Sequence, residues 1–124
     1  MKIRALIVDD EPVARSVLRE ELGMHSDVEI VGEANNGAVA IERIEALRPD
    51  LVFLDLKMPE MDGLAVMRRL RVLGKFPVIV VVTAGEDRKG SALTLGATDC
   101  LQKPVSPSRL SGSLEAVRNI LAER

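Results

Sequence analysis

A chain of 124 residues has the length of one domain and leaves no room for two. With 47% apolar and 29% charged residues it has the balance of a folded soluble domain; aromatics at 2%, with no Trp and no Tyr, leave a core of Leu, Ile, Val, Ala and Met and no stacking platform for single-stranded nucleic acid. A net charge of −2 without any run of Lys or Arg argues against nucleic acid or an anionic membrane as a direct partner. The single cysteine, Cys100, excludes an internal disulfide and fits a reducing, cytoplasmic setting.

In chain order, two basic residues precede an apolar run at 5–8 that imitates the start of a secretory signal, but Asp9 and Asp10 end it too soon. Residues 5–8 are expected to form a strand. Val13, Val17, Leu18 and Leu22 follow as one helical stripe, with Pro12 suited to the first helical position. A weaker strand falls at 28–31. Asn36-Gly37 would read as a hairpin turn in isolation, but a second helical stripe follows it (Ala40, Ile41, Ile44, Leu47), so the hairpin is discounted. Pro49-Asp50 closes that helix, and residues 51–54 make a second strong strand. Leu64, Met67, Leu70 and Leu73 form a third stripe ended by Gly74, and 78–82 is the third strong strand. Residues 87–95 are the weakest helix because Gly90 sits inside it. A short strand at 100–102 precedes a last stripe, Leu110, Leu114, Val117 and Leu121, with Ser106 as N-cap and Pro107 behind it. The three strong strands lack polar alternation, as strands covered on both faces do. Strands alternating with helices need crossover connections and therefore a parallel sheet. The expectation is a single α/β sandwich over residues 1–124.

In such a sheet every strand C-terminus lies on one edge, where ligands bind at the switch point of strand order. Asp9, Asp10 and Glu11 follow the first strand, Asp55 the third, Thr83 the fourth and Lys103 the fifth. Taken singly, each is more often a turn former, a cap or a solvated charge. Together they make a complementary set that chance rarely assembles. Clustered carboxylates resist joint ionisation, and a hard divalent cation such as Mg²⁺ relieves that repulsion. One carboxylate can then attack phosphorus, while Lys103 and Thr83 receive the transferred group. Phosphoryl transfer asks mainly for positioning and charge neutralisation, which a metal and a lysine supply. Ala84 leaves room beside the transferred group. No Ser-His-Asp set, zinc-ligand spacing or Gly-rich phosphate loop competes, and His25, the single histidine, reads as a surface residue after the first helix.

Ile7-Val8-Asp9-Asp10-Glu11, Phe53-Leu54-Asp55-Leu56-Lys57-Met58-Pro59 with Met61-Asp62-Gly63, then Val82-Thr83-Ala84 and Lys103-Pro104 resemble receiver domains of bacterial two-component response regulators. The match runs over essentially the whole chain. It implies a doubly wound (βα)5 three-layer sandwich, flavodoxin-like, with a five-stranded parallel sheet in order 2-1-3-4-5. It implies that Asp55 accepts phosphate from a sensor histidine kinase; that Asp10, Asp55 and the backbone carbonyl of Lys57 hold Mg²⁺, with Asp9 acting through water; and that Thr83 and Lys103 bind the phosphoryl oxygens. It also implies a cis Lys103–Pro104 peptide, and roles for Lys57 and Gly85 in tuning dephosphorylation. Beyond its own phosphorylation and dephosphorylation such a domain is not an enzyme. Where the family carries an aromatic switch residue, three positions before its lysine, this chain has Cys100. The usual Thr-to-aromatic relay is thereby in doubt, and Cys100 reads as a small core residue.

The opening 3–12 and the later 103–110 also resemble receivers joined to LytTR-type DNA-binding effectors, with transcription regulation as the output. The chain is then either part of a longer transcription regulator, the favoured reading, or a stand-alone regulator that acts by docking. A phosphorylation-dependent homodimer is a further implication. Two other functions stay open at this point. One is a docking module of receiver fold that works without phosphorylation. The other is a small phosphatase acting through an aspartyl-phosphate, against which Lys57 stands where a second acid is expected.

Overall fold

Five strands alternate with five helices in the computed structural model, which describes residues 2–85 and 88–124. They are β1 (Ile3–Val8), α1 (Pro12–Leu22), β2 (Val28–Ala34), α2 (Gly37–Leu47), β3 (Leu51–Leu54), α3 (Gly63–Leu73), β4 (Val78–Thr83), α4 (Lys89–Leu95), β5 (Asp99–Gln102) and α5 (Pro107–Ala122). All neighbouring strands pair in parallel, in the order β2-β1-β3-β4-β5. This is the doubly wound, flavodoxin-like arrangement, and its switch point lies between β1 and β3.

The period-2 geometry of strands explains why the central ones are apolar throughout. On one face Leu6, Val8, Val52, Leu54, Ile79 and Val81 pack with Ala40 and Ile44 of α2, Met67 and Leu70 of α3 and Ala92 of α4. On the other, Ala5, Ile7, Leu51, Phe53, Val78 and Val80 pack with Leu18 and Leu22 of α1 and with Leu110, Leu114 and Val117 of α5. Two apolar cores therefore sandwich one sheet. Phe53 is the largest fully buried side chain.

Local chemistry sets the helix ends. The side-chain oxygens of Asn36, Asp62 and Ser106 accept the backbone N–H groups of Val39, Ala65 and Arg109, each three residues on. Asn36-Gly37 thus opens a helix rather than a hairpin. Gly74, at φ 69°, ends α3 in the left-handed region that glycine adopts without penalty. The Lys103–Pro104 peptide is cis.

Two local expectations need correction. β2 runs three residues beyond 28–31, to Ala34, because parallel pairing with β1 resumes after an irregularity opposite Ala5 and Leu6. In α1 only Leu18 and Leu22 of the stripe are buried; Val13 is 75% and Val17 47% exposed. The helix at 87–95 is described from Lys89 with Gly90 inside it, while Asp87 lies outside the described residues. Among the described residues, no helix is long and apolar enough to cross a membrane.

Candidate functional site

Because β1 and β3 are neighbours with Val8 opposite Leu54, the residues that follow them leave the sheet side by side. The Asp55 N–H donates to the Val8 carbonyl at 3.0 Å, and the Asp9 N–H to the Ala34 carbonyl at 3.0 Å. Both aspartates are thereby fixed at the switch point and buried, Asp55 at 3% exposure and Asp9 at 5%. Asp10 is half-buried and Glu11 exposed. One carboxylate oxygen from each of Asp9, Asp10, Glu11 and Asp55 lies within 4.8 Å of the other three.

Lys103 follows β5, its N–H bound to the Thr83 carbonyl at 2.9 Å. Its long stem carries the ammonium across the sheet edge into the cluster. Nζ sits 2.7 Å from Asp9 Oδ2, 3.1 Å from Glu11 Oε1 and 3.2 Å from Asp55 Oδ2. Burial alone would lower the lysine's pKa, but the bonds to Asp9 and Glu11 and the charge of Asp55 hold it above its ordinary value. Asp55 moves upward as well, pushed first by burial and then by the charge of Asp9, despite Lys103. The two shifts differ in origin: the carboxylates around Nζ favour the charged lysine, whereas burial and the neighbouring Asp9 charge disfavour the ionised Asp55 more than Lys103 favours it.

That donor set suits a hard divalent cation. Mg²⁺ takes oxygen ligands, commonly one or two carboxylates with several waters, and the cluster offers carboxylate oxygens of graded exposure. The Lys57 N–H donates to Asp55 Oδ1 at 3.2 Å, which ties the loop after β3 back onto the Asp55 side chain. Gly63 tightens the same loop: a Cβ there would come within 2.8 Å of the Leu56 Cα and closer still to the Asp55 carbonyl.

Thr83 is buried at the end of β4 and lines a cavity of about 310 Å³ with Gly85, Lys89, Cys100, Gln102 and Arg109. Cys100 is buried in β5, as expected of a small core residue. His25 is half-buried after α1, near Arg118 of α5. An apolar groove of about 330 Å³ adjoins the cluster, formed by Val13, Ala14 and Val17 of α1 with Pro104 and Val105, and bordered by Asp9, Glu11 and Lys103. The sequence therefore placed Asp9, Asp10, Asp55, Thr83 and Lys103 at one sheet edge, where they are found. The lysine's bond to Glu11 and that of Arg15 in α1 to the Asp9 carbonyl leave no local pattern in the sequence.

The model for the response regulator receiver domain family matches residues 5–115. The protein-glutamate methylesterase/protein-glutamine glutaminase of a Nocardioides species is 41% identical over 98% of this chain, which spans 34% of that relative. The transcriptional regulatory protein BtsR of Escherichia coli K12 is 42% identical over 94% of this chain and 48% of its own length. This chain thus spans a third to a half of these relatives. Among solved structures, the response regulatory domain of MrkE from Klebsiella pneumoniae superposes with a TM-score of 0.89 at 28% identity, covering 98% of this chain and 99% of that one. The response regulator domain of Thermotoga maritima CheB gives 0.83 at 28% identity, covering 95% and 98%. With the strand order, the acidic switch point and the family match all in agreement, the chain belongs to the response regulator receiver domains of two-component signalling.

Proposed function

We propose that Asp55 is the phosphoryl acceptor of this receiver and that a sensor histidine kinase supplies the group. The observation that carries this reading is the placement of Asp55, buried at the switch point with its carboxylate shared between the acidic cluster and Lys103. A carboxylate oxygen of Asp55 forms the new bond to phosphorus as the phosphorus–nitrogen bond of a phosphohistidine breaks. Asp10, Asp55 and the Lys57 carbonyl would hold Mg²⁺, with Asp9 supporting the ion through water. When bound, the ion neutralises charge on the cluster and on the phosphoryl oxygens. Lys103 and Thr83 meet those oxygens with an ammonium and a hydroxyl.

The groove along Val13, Ala14 and Val17 supports docking of a helix that carries the donor histidine, because it is apolar and ends at Asp9 and Lys103. Phosphorylation replaces the single charge of the Asp55 carboxylate with a phosphoryl group that carries about −1.5 to −2, which biases the surface around α4, β5 and α5. With Cys100 in β5, that change runs through Thr83 and its adjoining cavity rather than through an aromatic side chain. An output domain joined to this receiver would complete a transcription regulator, a reading supported by a relative named as a transcriptional regulatory protein, of which this chain spans 48%.

Beryllofluoride, a mimic of the aspartyl-phosphate, tests the reading in solution. One equivalent binds wild type only with Mg²⁺, followed by ¹⁹F resonance, and Asp55→Asn abolishes binding. Binding that persists in Asp55→Asn overturns the assignment, and no binding to wild type favours a docking module that works without phosphorylation.

A further inference from the structure

Asp9 is held by more than its own strand. Arg15, one turn into α1, donates from Nη1 to the Asp9 backbone carbonyl at 2.7 Å and from Nε to Glu33 Oε1 at 2.8 Å. Its side chain is only 19% exposed. Glu33, near the end of β2, is also gripped by Arg19, whose Nη2 lies 2.7 Å from Oε2. Burial would raise the Glu33 carboxyl, but Arg19 and Arg15 outweigh it and keep the group ionised. Two arginines a helical turn apart thus share one carboxylate, but only Arg15 extends its planar fork to the acidic turn.

The acceptor of that bond matters. The Asp9 carbonyl belongs to the peptide that joins Asp9 to Asp10, so fixing its plane fixes the Asp10 N–Cα bond and restricts the directions in which the Asp10 side chain can leave the backbone. The same turn is held at its other groups: the Asp9 N–H by the Ala34 carbonyl, and Asp9 Oδ1 by the Glu11 N–H at 2.9 Å. Without Arg15 the carbonyl loses a charge-assisted partner, and the carboxylate repulsion of the cluster acts on a looser loop. Groups that orient metal ligands commonly alter affinity by about 10–100-fold when removed.

We infer that Arg15, anchored by Glu33, is a positioning residue that presets the Asp9–Asp10 turn for the divalent cation. The inference rests on the metal-site reading above. Mg²⁺ is titrated against the thermal midpoint, and free Mn²⁺ is counted by electron paramagnetic resonance, for wild type, Arg15→Gln, Arg15→Lys and Arg19→Gln. Arg15→Gln binds either ion about tenfold more weakly than wild type. Arg19→Gln, which removes the outer contact to Glu33 and leaves the Asp9 carbonyl held, stays within about twofold. Arg15→Lys keeps the charge without the fork and falls between them; it decides the matter should Arg15→Gln not fold. Wild-type affinity in both Arg15 variants, or equal losses in Arg15→Gln and Arg19→Gln, overturns the positioning role and leaves the metal site standing. Wild type that binds neither ion overturns the metal-site reading itself, and this inference with it.

Discussion

Lys103→Met removes the ammonium shared by Asp9, Glu11 and Asp55 and keeps most of the methylene stem. Breaking a fully buried ion pair costs about 3–5 kcal/mol, because the remaining charge is stranded away from water. Lys103 retains 17% exposure, and its bond to the exposed Glu11 adds little, which brings the expected loss to about 2–3 kcal/mol without metal. For a domain of this size that is a fall of roughly 8–12 °C in melting midpoint. Circular dichroism in the presence of a chelator measures it, since the chain has no Trp or Tyr to report by fluorescence. The sign of the pH dependence follows from the raised pKa of Lys103. Its stabilisation is fully present below the unfolded lysine pKa and is lost only as pH rises through the higher folded value. At neutral pH wild type therefore keeps the whole of it. Acidification narrows the gap between variant and wild type, because the stranded carboxylates take up protons, Asp55 early among them since its pKa is raised. Mg²⁺ at about 10 mM restores the variant more than it raises wild type, by supplying the missing positive charge and binding only the folded state. A variant as stable as wild type in chelator, or one indifferent to both Mg²⁺ and acid, refutes the reasoning.

Three further outcomes follow from packing. Phe53→Ala lowers unfolding free energy by about 3–5 kcal/mol in a denaturant titration, because this fully buried ring fills the core between β3, α1 and α5; a loss under 1 kcal/mol contradicts the packing. Gly63→Ala forces the loop after β3 off the Asp55 carbonyl, costing about 1–3 kcal/mol, and weakens beryllofluoride binding; unchanged binding and stability exclude the close approach. Burial pushes the Cys100 thiol up, so its reaction with a disulfide reagent is slow in the native protein and accelerates in denaturant; rapid modification of folded protein contradicts the buried placement.

The three central strands were legible because they are apolar on both faces, whereas β2 and β5 carry polar residues and gave a weaker signal. The site was legible because strand-end residues need no tertiary information beyond the rule that parallel strands end on one edge. What escaped has a physical reason in each case. Val13 and Val17 fit the helical stripe of Leu18 and Leu22 by spacing, but spacing does not tell which flank of a stripe the sheet covers. Gly32 and Glu33 end the apolar run of β2, although pairing with β1 carries the strand on to Ala34. The bonds of Lys103 to Glu11, 92 residues away, of Arg15 to Glu33, 18 away, and of Arg118 to Asp27, 91 away, depend on chain reversal that leaves no local trace. The helix before Cys100 was expected and is found; Gly90 weakens its local signal by about 1 kcal/mol, which packing of the buried Ala92 offsets.

The central claim, that Asp55 accepts the phosphoryl group, is tested most directly by intact mass after incubation with acetyl phosphate and Mg²⁺, comparing wild type with Asp55→Asn. The account predicts a single phosphoryl adduct on wild type, none on the variant, and none on wild type in chelator. An adduct of equal yield on Asp55→Asn, or no adduct on wild type that nonetheless binds beryllofluoride without Mg²⁺, contradicts it.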